Sequence, residues 1–217
     1  MASLSFDALL FDLDGVLVDS TSCIERHWRR WADRHALDHD HVLSESHGRR
    51  TADTIRRVAP ALDAEAEARL FEDREARDCD GVLPIDGASA LLSSLHDVPW
   101  AIVTSGTHDI ATNRMQAARI ETAPVLVTAD DVTNGKPHPE PFLVAASRLG
   151  SPPEHCIVFE DAPTGVSAAQ AAGMTVVALP TTVEPADLAN ANYMIRDLSQ
   201  VRVTSAAGRF SLELVHA

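Results

Sequence analysis

Five short apolar runs punctuate the 217-residue chain: FDALLF at 6–11, WAIV at 100–103, VLV at 125–127, CIVF at 156–159 and TVVAL at 175–179. Runs of this length that are apolar almost throughout, without alternation, predict strands buried on both faces, as in a parallel sheet. Stretches with helical spacing lie between most of them, over 87–96, 107–118, 139–149 and 163–172. Strand and helix in alternation predict an α/β fold, a doubly wound parallel sheet covered by helices on both faces. Residues 17–83 break the rhythm. Glu, Arg, Ala, His and Trp recur there at helical spacing, with helices expected over 21–36, 51–58 and 63–77 and no convincing strand. The expectation is a core of 1–16 and 84–217 interrupted by a small all-helical cap domain, 17–83. GVLPIDG at 81–87, with one proline and two glycines, reads as the hinge back into the core. Beyond Arg196 the tail is less patterned; Val201–Val203 and Phe210–Val215 read as short strands on either side of Ala206-Ala207-Gly208.

Composition narrows the class. With 45% hydrophobic and 23% charged residues, the chain is an ordinary globular protein. Lys plus Arg is 18 and Asp plus Glu is 32, so the formal charge is 18 − 32 = −14. That balance disfavours nucleic acid or an anionic membrane as the main partner. It leaves room for an anionic substrate at a site made locally positive by a metal ion and a few basic side chains. Cys23, Cys79 and Cys156 are odd in number and widely spaced, which fits neither a disulfide framework nor a zinc pattern and predicts inert thiols in a reducing compartment. The first residues have no basic segment ahead of an apolar one, and no run approaches 18 apolar residues, so the default location is the cytoplasm and no membrane span is expected.

In open parallel sheets the chemistry sits beyond the carboxyl ends of the strands. After the first run comes Asp12-Leu13-Asp14-Gly15: two carboxylates, one suited to attack and one to proton transfer, with a glycine that permits a sharp turn. An EF-hand is excluded because the twelfth position from Asp12 is Cys23, not a bidentate Glu. After WAIV comes Thr104-Ser105-Gly106-Thr107, hydroxyls and backbone N–H groups at a helix start that suit an anion, or else a helix cap supplied by Ser105 or Thr107. After VLV, Lys136 is set between Gly135 and Pro137; proline in place of Ser or Thr rules out a nucleotide P-loop. After CIVF come Glu160 and Asp161, which suit a hard cation such as Mg²⁺, although Asp161 is equally placed to cap the helix from Pro163. Each signal alone is modest; four in succession at four strand ends point to one crevice.

In this order FDLDGVLVDS, VTSG, GKPHPEP and FEDAPTG resemble the four motifs of the haloacid dehalogenase-like superfamily. The insert at 17–83 is similar to the cap of the subclass whose lid follows the first motif. HVLSESHGRRTADTI, WAIVTSGT and GKPHPEPF further resemble sugar and polyol phosphatases of the glycerol-phosphate and 2-deoxyglucose-6-phosphate type. The resemblance implies a Rossmann-like core, a Mg²⁺ cofactor and phosphate monoester hydrolysis through an aspartyl-phosphate. It implies Asp12 as nucleophile, Asp14 as acid and base, and Lys136 as the charge that balances nucleophile and phosphate. Ser105 and Gly106 would hold phosphate oxygens, with Thr104 the alternative hydroxyl. Asp12, the Asp14 backbone carbonyl and Asp161 would bind the metal, with Glu160 helping directly or through water.

Glu25, His47, Arg49, Arg50 and Thr51 are the candidate cap contacts, with Arg50 placed to meet phosphate and Glu25 or His47 to meet sugar hydroxyls. Solvated helix faces and a loop histidine are the plainer explanation of the same residues. Trp28 and Trp31, three apart on one helix face, read as cap core. The expected partner is a small phosphorylated metabolite, and the expected state a monomer or weak homo-oligomer. A β-phosphoglucomutase-type phosphosugar mutase would share every core residue and is the alternative. A dehalogenase is disfavoured by Asp14 and the second acid pair. A receiver-type signalling module is disfavoured by an acceptor on the first strand and by the cap.

Overall fold

The computed structural model describes residues 2–206 and 209–215, so Ala207 and Gly208 of the tail motif lie outside the described residues. Strands are β1 (Ala2–Phe6), β2 (Ala8–Phe11), β3 (Val18–Asp19), β4 (Leu83–Pro84), β5 (Trp100–Val103), β6 (Val125–Val127), β7 (Cys156–Glu160), β8 (Thr175–Ala178), β9 (Tyr193–Met194), β10 (Val201–Ala206) and β11 (Arg209–Leu214). Helices are α1 (Thr21–His35), α2 (His39–Ser46), α3 (Thr51–Val58), α4 (Ala64–Glu75), α5 (Ala88–Ser93), α6 (His108–Ala118), α7 (Glu140–Leu149) and α8 (Pro163–Ala171).

Six strands form a parallel sheet in the order β6-β5-β2-β7-β8-β9. In β2 every residue is fully buried, because helices cover both faces. Leu9, Phe11, Trp100, Ile102 and Phe159 pack on one face, and Leu10, Ala101, Val103, Val158 and Phe142 on the other. Phe11 pairs level with Ile102 and with Phe159. That register ends the three central strands together, so the residues that follow them meet in one place.

The apolar run at 6–11 is not one strand. Asp7 interrupts it: its N–H donates to the His155 carbonyl (2.9 Å) and its carboxylate pairs with the His155 ring (2.8 Å). Residues before it belong to a separate antiparallel sheet, β1-β11-β10, in which Phe6 stacks on Phe210. The strands read at 201–203 and 210–215 are there, in longer or shifted form.

Helices α1–α4 enclose an apolar cluster of their own, including Trp28, Trp31, Val42, Ile55 and Phe71. Two features of this segment were not expected. Helix α2 has few buried positions and is started by Asp38, whose carboxylate accepts from the His41 N–H (2.8 Å). The two-residue strands β3 and β4 pair antiparallel where the chain enters and leaves the segment. The three cysteines are free, two of them buried. Among the described residues no helix is long and apolar enough to cross a membrane.

Candidate active site

At the level ends of β2, β5 and β7 the chain turns inward a lysine and three acids. Lys136 Nζ donates to Asp12 Oδ1 (2.7 Å), Glu160 Oε1 (2.5 Å) and the Val103 carbonyl (3.1 Å). It therefore ties β2, β5 and β7 together, and its Nζ lies over the Phe142 ring, 5.1 Å from the ring centre. Asp12, Lys136, Glu160 and Asp161 are each at most 5% exposed. Burial works against the ammonium, but Asp12 and Glu160 together hold it above the usual lysine range. Burial pushes the Asp12 carboxyl up to about 7, against the pull of Lys136. Burial, then Glu160 and Asp12, push Asp161 well above the carboxylate range.

This surplus of buried negative charge is what a hard dication relieves. Asp12, Glu160 and Asp161 offer carboxylate oxygens within 4.8 Å of one another. Glu160 is the least available of the three. Its Oε1 receives Lys136, and its Oε2 receives the backbone N–H groups of Asp161 (2.8 Å) and Ala162 (2.9 Å). Asp161 accepts from the Thr182 hydroxyl and does not cap α8, whose N-cap is Ala162. Gly15, at φ +80°, approaches Asp161 so closely that a Cβ would overlap its carboxylate. Gly165 lies in the same relation to Glu160.

The hydroxyls after β5 divide their work. Thr107 caps α6, accepting from the Ile110 N–H. Thr104 is buried and its Oγ1 accepts from the Gly106 N–H (3.1 Å). Ser105 instead donates to the Gly48 carbonyl of the helical segment (2.9 Å), and Thr164 donates to the neighbouring His47 carbonyl (3.2 Å). These two bonds seat the 47–48 turn on the core. Between them and the acids lies a cleft of about 90 Å³, a volume for a small molecule and not a polymer segment.

Asp12, Asp14, Thr104, Ser105, Gly106 and Asp161 line that cleft from the core, and Glu25, His47, Arg49 and Thr51 from the helical segment. Lys136 and Glu160 sit just behind it. Arg50 is a correction: it does not line the cleft. Its guanidinium pairs with Asp53 (2.7 Å) and donates to the Thr133 carbonyl (2.9 Å), and its stem lies against Gly135. It braces the loop that delivers Lys136. The reason is local: α3 begins at Thr51, and Arg49 reaches both the cleft and the groove beside the Lys136 loop, whereas Arg50 reaches only that groove. Trp28 and Trp31 pack edge to face in the cap cluster, as expected, although Trp28 also reaches the cleft wall.

Four cleft residues were not anticipated. Asp14 Oδ1 accepts from Ser20 Oγ (2.5 Å) and pairs with Arg114 of α6 (2.8 Å). Arg114 in turn pairs with Glu75 at the end of α4 (2.8 Å). Both partners of this second pair are buried, and Arg114 Nε has no hydrogen-bond partner among the described residues. Burial raises the Glu75 carboxyl despite Arg114, while Asp14 and Glu75 hold the guanidinium above its usual range against desolvation. Thr182, the fourth, holds Asp161 from beyond β8. Ser20 was within reach of the sequence, eight residues after Asp12 in the DGVLVDS text; the other three gave no local signal.

Residues 9–179 match the family model described as haloacid dehalogenase-like hydrolase. Over 200 residues the chain is 40% identical to hexitol phosphatase A of Escherichia coli, covering 90% of this chain and 93% of that protein. It is 37% identical to glycerol-1-phosphate phosphohydrolase 1 of Saccharomyces cerevisiae, covering 84% and 78% respectively. Among solved structures, a hydrolase from Pseudomonas syringae superposes with a TM-score of 0.80 at 27% identity, covering 88% of this chain and 94% of that one.

Proposed function

The chain belongs to the haloacid dehalogenase-like hydrolases, and on that premise we propose that it is a Mg²⁺-dependent phosphatase of small sugar or polyol phosphate monoesters, with Asp12 as covalent nucleophile. The observation that supports this most is the Lys136 ammonium buried between Asp12 and Glu160, beside a further buried acid. Phosphoryl transfer asks for in-line positioning and for positive charge where oxygens accumulate negative charge. Lys136 supplies one positive charge. Asp12, Asp161 and the Asp14 backbone carbonyl would hold a Mg²⁺, which would supply the remaining positive charge. Glu160 aims Lys136.

An Asp12 oxygen attacks phosphorus and the bond from phosphorus to the ester oxygen breaks. The leaving oxygen takes the proton of the Asp14 carboxyl. Asp14, now a carboxylate, removes a proton from water, which attacks the aspartyl-phosphate and releases phosphate. Thr104 and the backbone N–H groups of Ser105 and Gly106 hold the phosphoryl oxygens. The relatives named for hexitol and glycerol phosphates, and a cleft of about 90 Å³, support a substrate with few carbons. Glu25 and His47 suit its hydroxyls, and Arg49 takes the place first given to Arg50.

Phosphate release from glycerol phosphates, hexitol and hexose 6-phosphates and β-glucose 1-phosphate, with Mg²⁺ and with chelator, tests this reading. Metal-dependent release from polyol or sugar phosphates, absent in Asp12→Asn, is expected. Conversion of β-glucose 1-phosphate to the 6-phosphate without net release would overturn it in favour of a mutase.

A further inference from the structure

About half of the arginines of the helical segment are matched with acids. Arg26 is held by Asp78, Arg29 by Glu25, Arg50 and Arg56 by Asp53, and Arg57 by Glu45. Of the others, Arg49 lines the cleft and Arg69 is exposed, while the rest gather in one groove. Between α1 and α4, Arg30, Arg34, Arg74 and Arg77 converge on a groove of about 330 Å³ floored by Phe71 and His27. Among the described residues, Arg30, Arg34 and Arg74 have no carboxylate partner, and Arg77 has only the exposed Asp73 at 3.6 Å.

The acids nearby are already engaged. Asp78 at the groove's end accepts from Arg26 Nη2 with both oxygens (2.9 Å each) and from His27 (3.0 Å). Glu67, beside Arg34, receives Trp31 Nε1 (3.0 Å) and His35 (3.1 Å). Partial desolvation and the charge of Arg74 lower the Arg34 guanidinium from the usual arginine range, although the side chain is exposed. Arg34 and Arg74 lie in the last turns of α1 and α4, where the helix dipole favours a cation. That accounts for each residue singly. It does not account for two helices turning unpaired guanidiniums into one groove, nor for Arg30 and Arg34 as like charges four apart, an arrangement that destabilises a helix. In a chain of net charge −14 the concentration is against composition.

We propose that this groove binds a small multiply phosphorylated anion at a site separate from the substrate cleft. Guanidinium forks match phosphate oxygens in pairs, and several of them converging suit a ligand with more than one phosphate. Occupancy has a short route to the chemistry. Phe71 forms part of both the groove and the cleft. Arg74, in the groove, is followed directly by Glu75, which holds Arg114 and through it Asp14.

The test is calorimetric titration of the full chain with sodium tripolyphosphate at low ionic strength, without divalent metal. Leaving out the metal keeps the acid-lined cleft unattractive to anions and makes the outcome independent of the phosphatase reading. Saturable 1:1 binding is expected. It should weaken at least about tenfold in the triple variant Arg30→Gln, Arg34→Gln, Arg74→Gln, the equivalent of one lost charge-assisted bond. The three side chains are exposed, so the variant should fold. Arg49→Gln, in the cleft, should leave the affinity within about twofold of the original. No saturable binding by the unsubstituted protein, equal binding by the triple variant, or loss of binding in Arg49→Gln would each overturn the proposal.

Discussion

Replacing Arg114 with methionine leaves two acids without the cation they share. Glu75 is 7% exposed and has no other charged partner among the described residues, whereas the Asp14 side chain is 19% exposed and keeps Ser20. Removing one member of a buried ion pair costs about 3–5 kcal/mol, because a charge is left in a poorly solvated place. An unfolding entropy of about 2.1 cal/mol/K per residue gives about 0.46 kcal/mol/K for a chain this long, so Tm should fall by about 7–11 °C at pH 8. The deficit should shrink in acid. Burial already raises the Glu75 carboxyl, and without Arg114 it rises further. A carboxyl raised in the folded state contributes stability that is present below its unfolded pKa and lost as pH rises through the folded value. Adding Glu75→Leu should recover most of the loss, since it removes the carboxyl left without a partner and replaces the buried pair by apolar contact. Activity should not recover, because Asp14 keeps Ser20 but still lacks the Arg114 guanidinium. Differential scanning fluorimetry of the single and double variants at pH 5 and pH 8 decides the matter. A fall of less than about 2 °C in Arg114→Met at pH 8 would show that the cap helix does not close this pair in solution and would refute the reasoning.

Asp12, pushed up to about 7 by burial, must lose its proton to hold a metal. Apparent Mg²⁺ affinity should therefore drop at least about tenfold from pH 8 to pH 6, with about one proton or more released per ion bound at pH 6, measured by titration calorimetry in two buffers. In the metal-free protein the same raised group stabilises below its ordinary range and loses that contribution as pH climbs through about 7, so the Tm gain on adding Mg²⁺ should grow with pH. Gly165→Ala puts a methyl into the Glu160 carboxylate; displacing the group that aims Lys136 should cut kcat about a hundredfold, with stopped-time phosphate assays as the readout. Arg50→Ala should lower kcat and leave KM near its original value, since Arg50 braces the Lys136 loop and does not touch the cleft; a raised KM with unchanged kcat would return Arg50 to the substrate.

What the sequence made legible is the part of the site that lies immediately after strands. Asp12, Thr104 and Glu160 each close or follow a four- or five-residue apolar run, and the level register of β2, β5 and β7 does the rest. Glu75 and Arg114 were illegible for a physical reason. Each sits on a helix among other charged residues, 39 positions apart, and only the docking of α4 against the core turns two ordinary helix charges into a buried pair. The same limit separates Arg49 from Arg50. Neighbouring arginines look alike until the fold brings Arg49 to the cleft and holds Arg50 on the Lys136 loop. The break between β1 and β2 was missed because a single Asp within an apolar run reads as a strand edge, and the His155 that engages it lies 148 residues away.

Lys136 is the one lysine in the chain; every other basic side chain of the Lys-plus-Arg count is arginine. Its triple tether to Asp12, Glu160 and the Val103 carbonyl thus puts the chain's one side-chain amine inside the candidate site. Amine-directed reagents have no other side-chain target, so acylation or reductive methylation at a side chain should remain negligible until the centre opens. Growth on ¹⁵N-lysine would place a single isotopic reporter in the protein, its ζ-ammonium shielded from exchange, from which metal loading and phosphate occupancy can be followed with no need for resonance assignment.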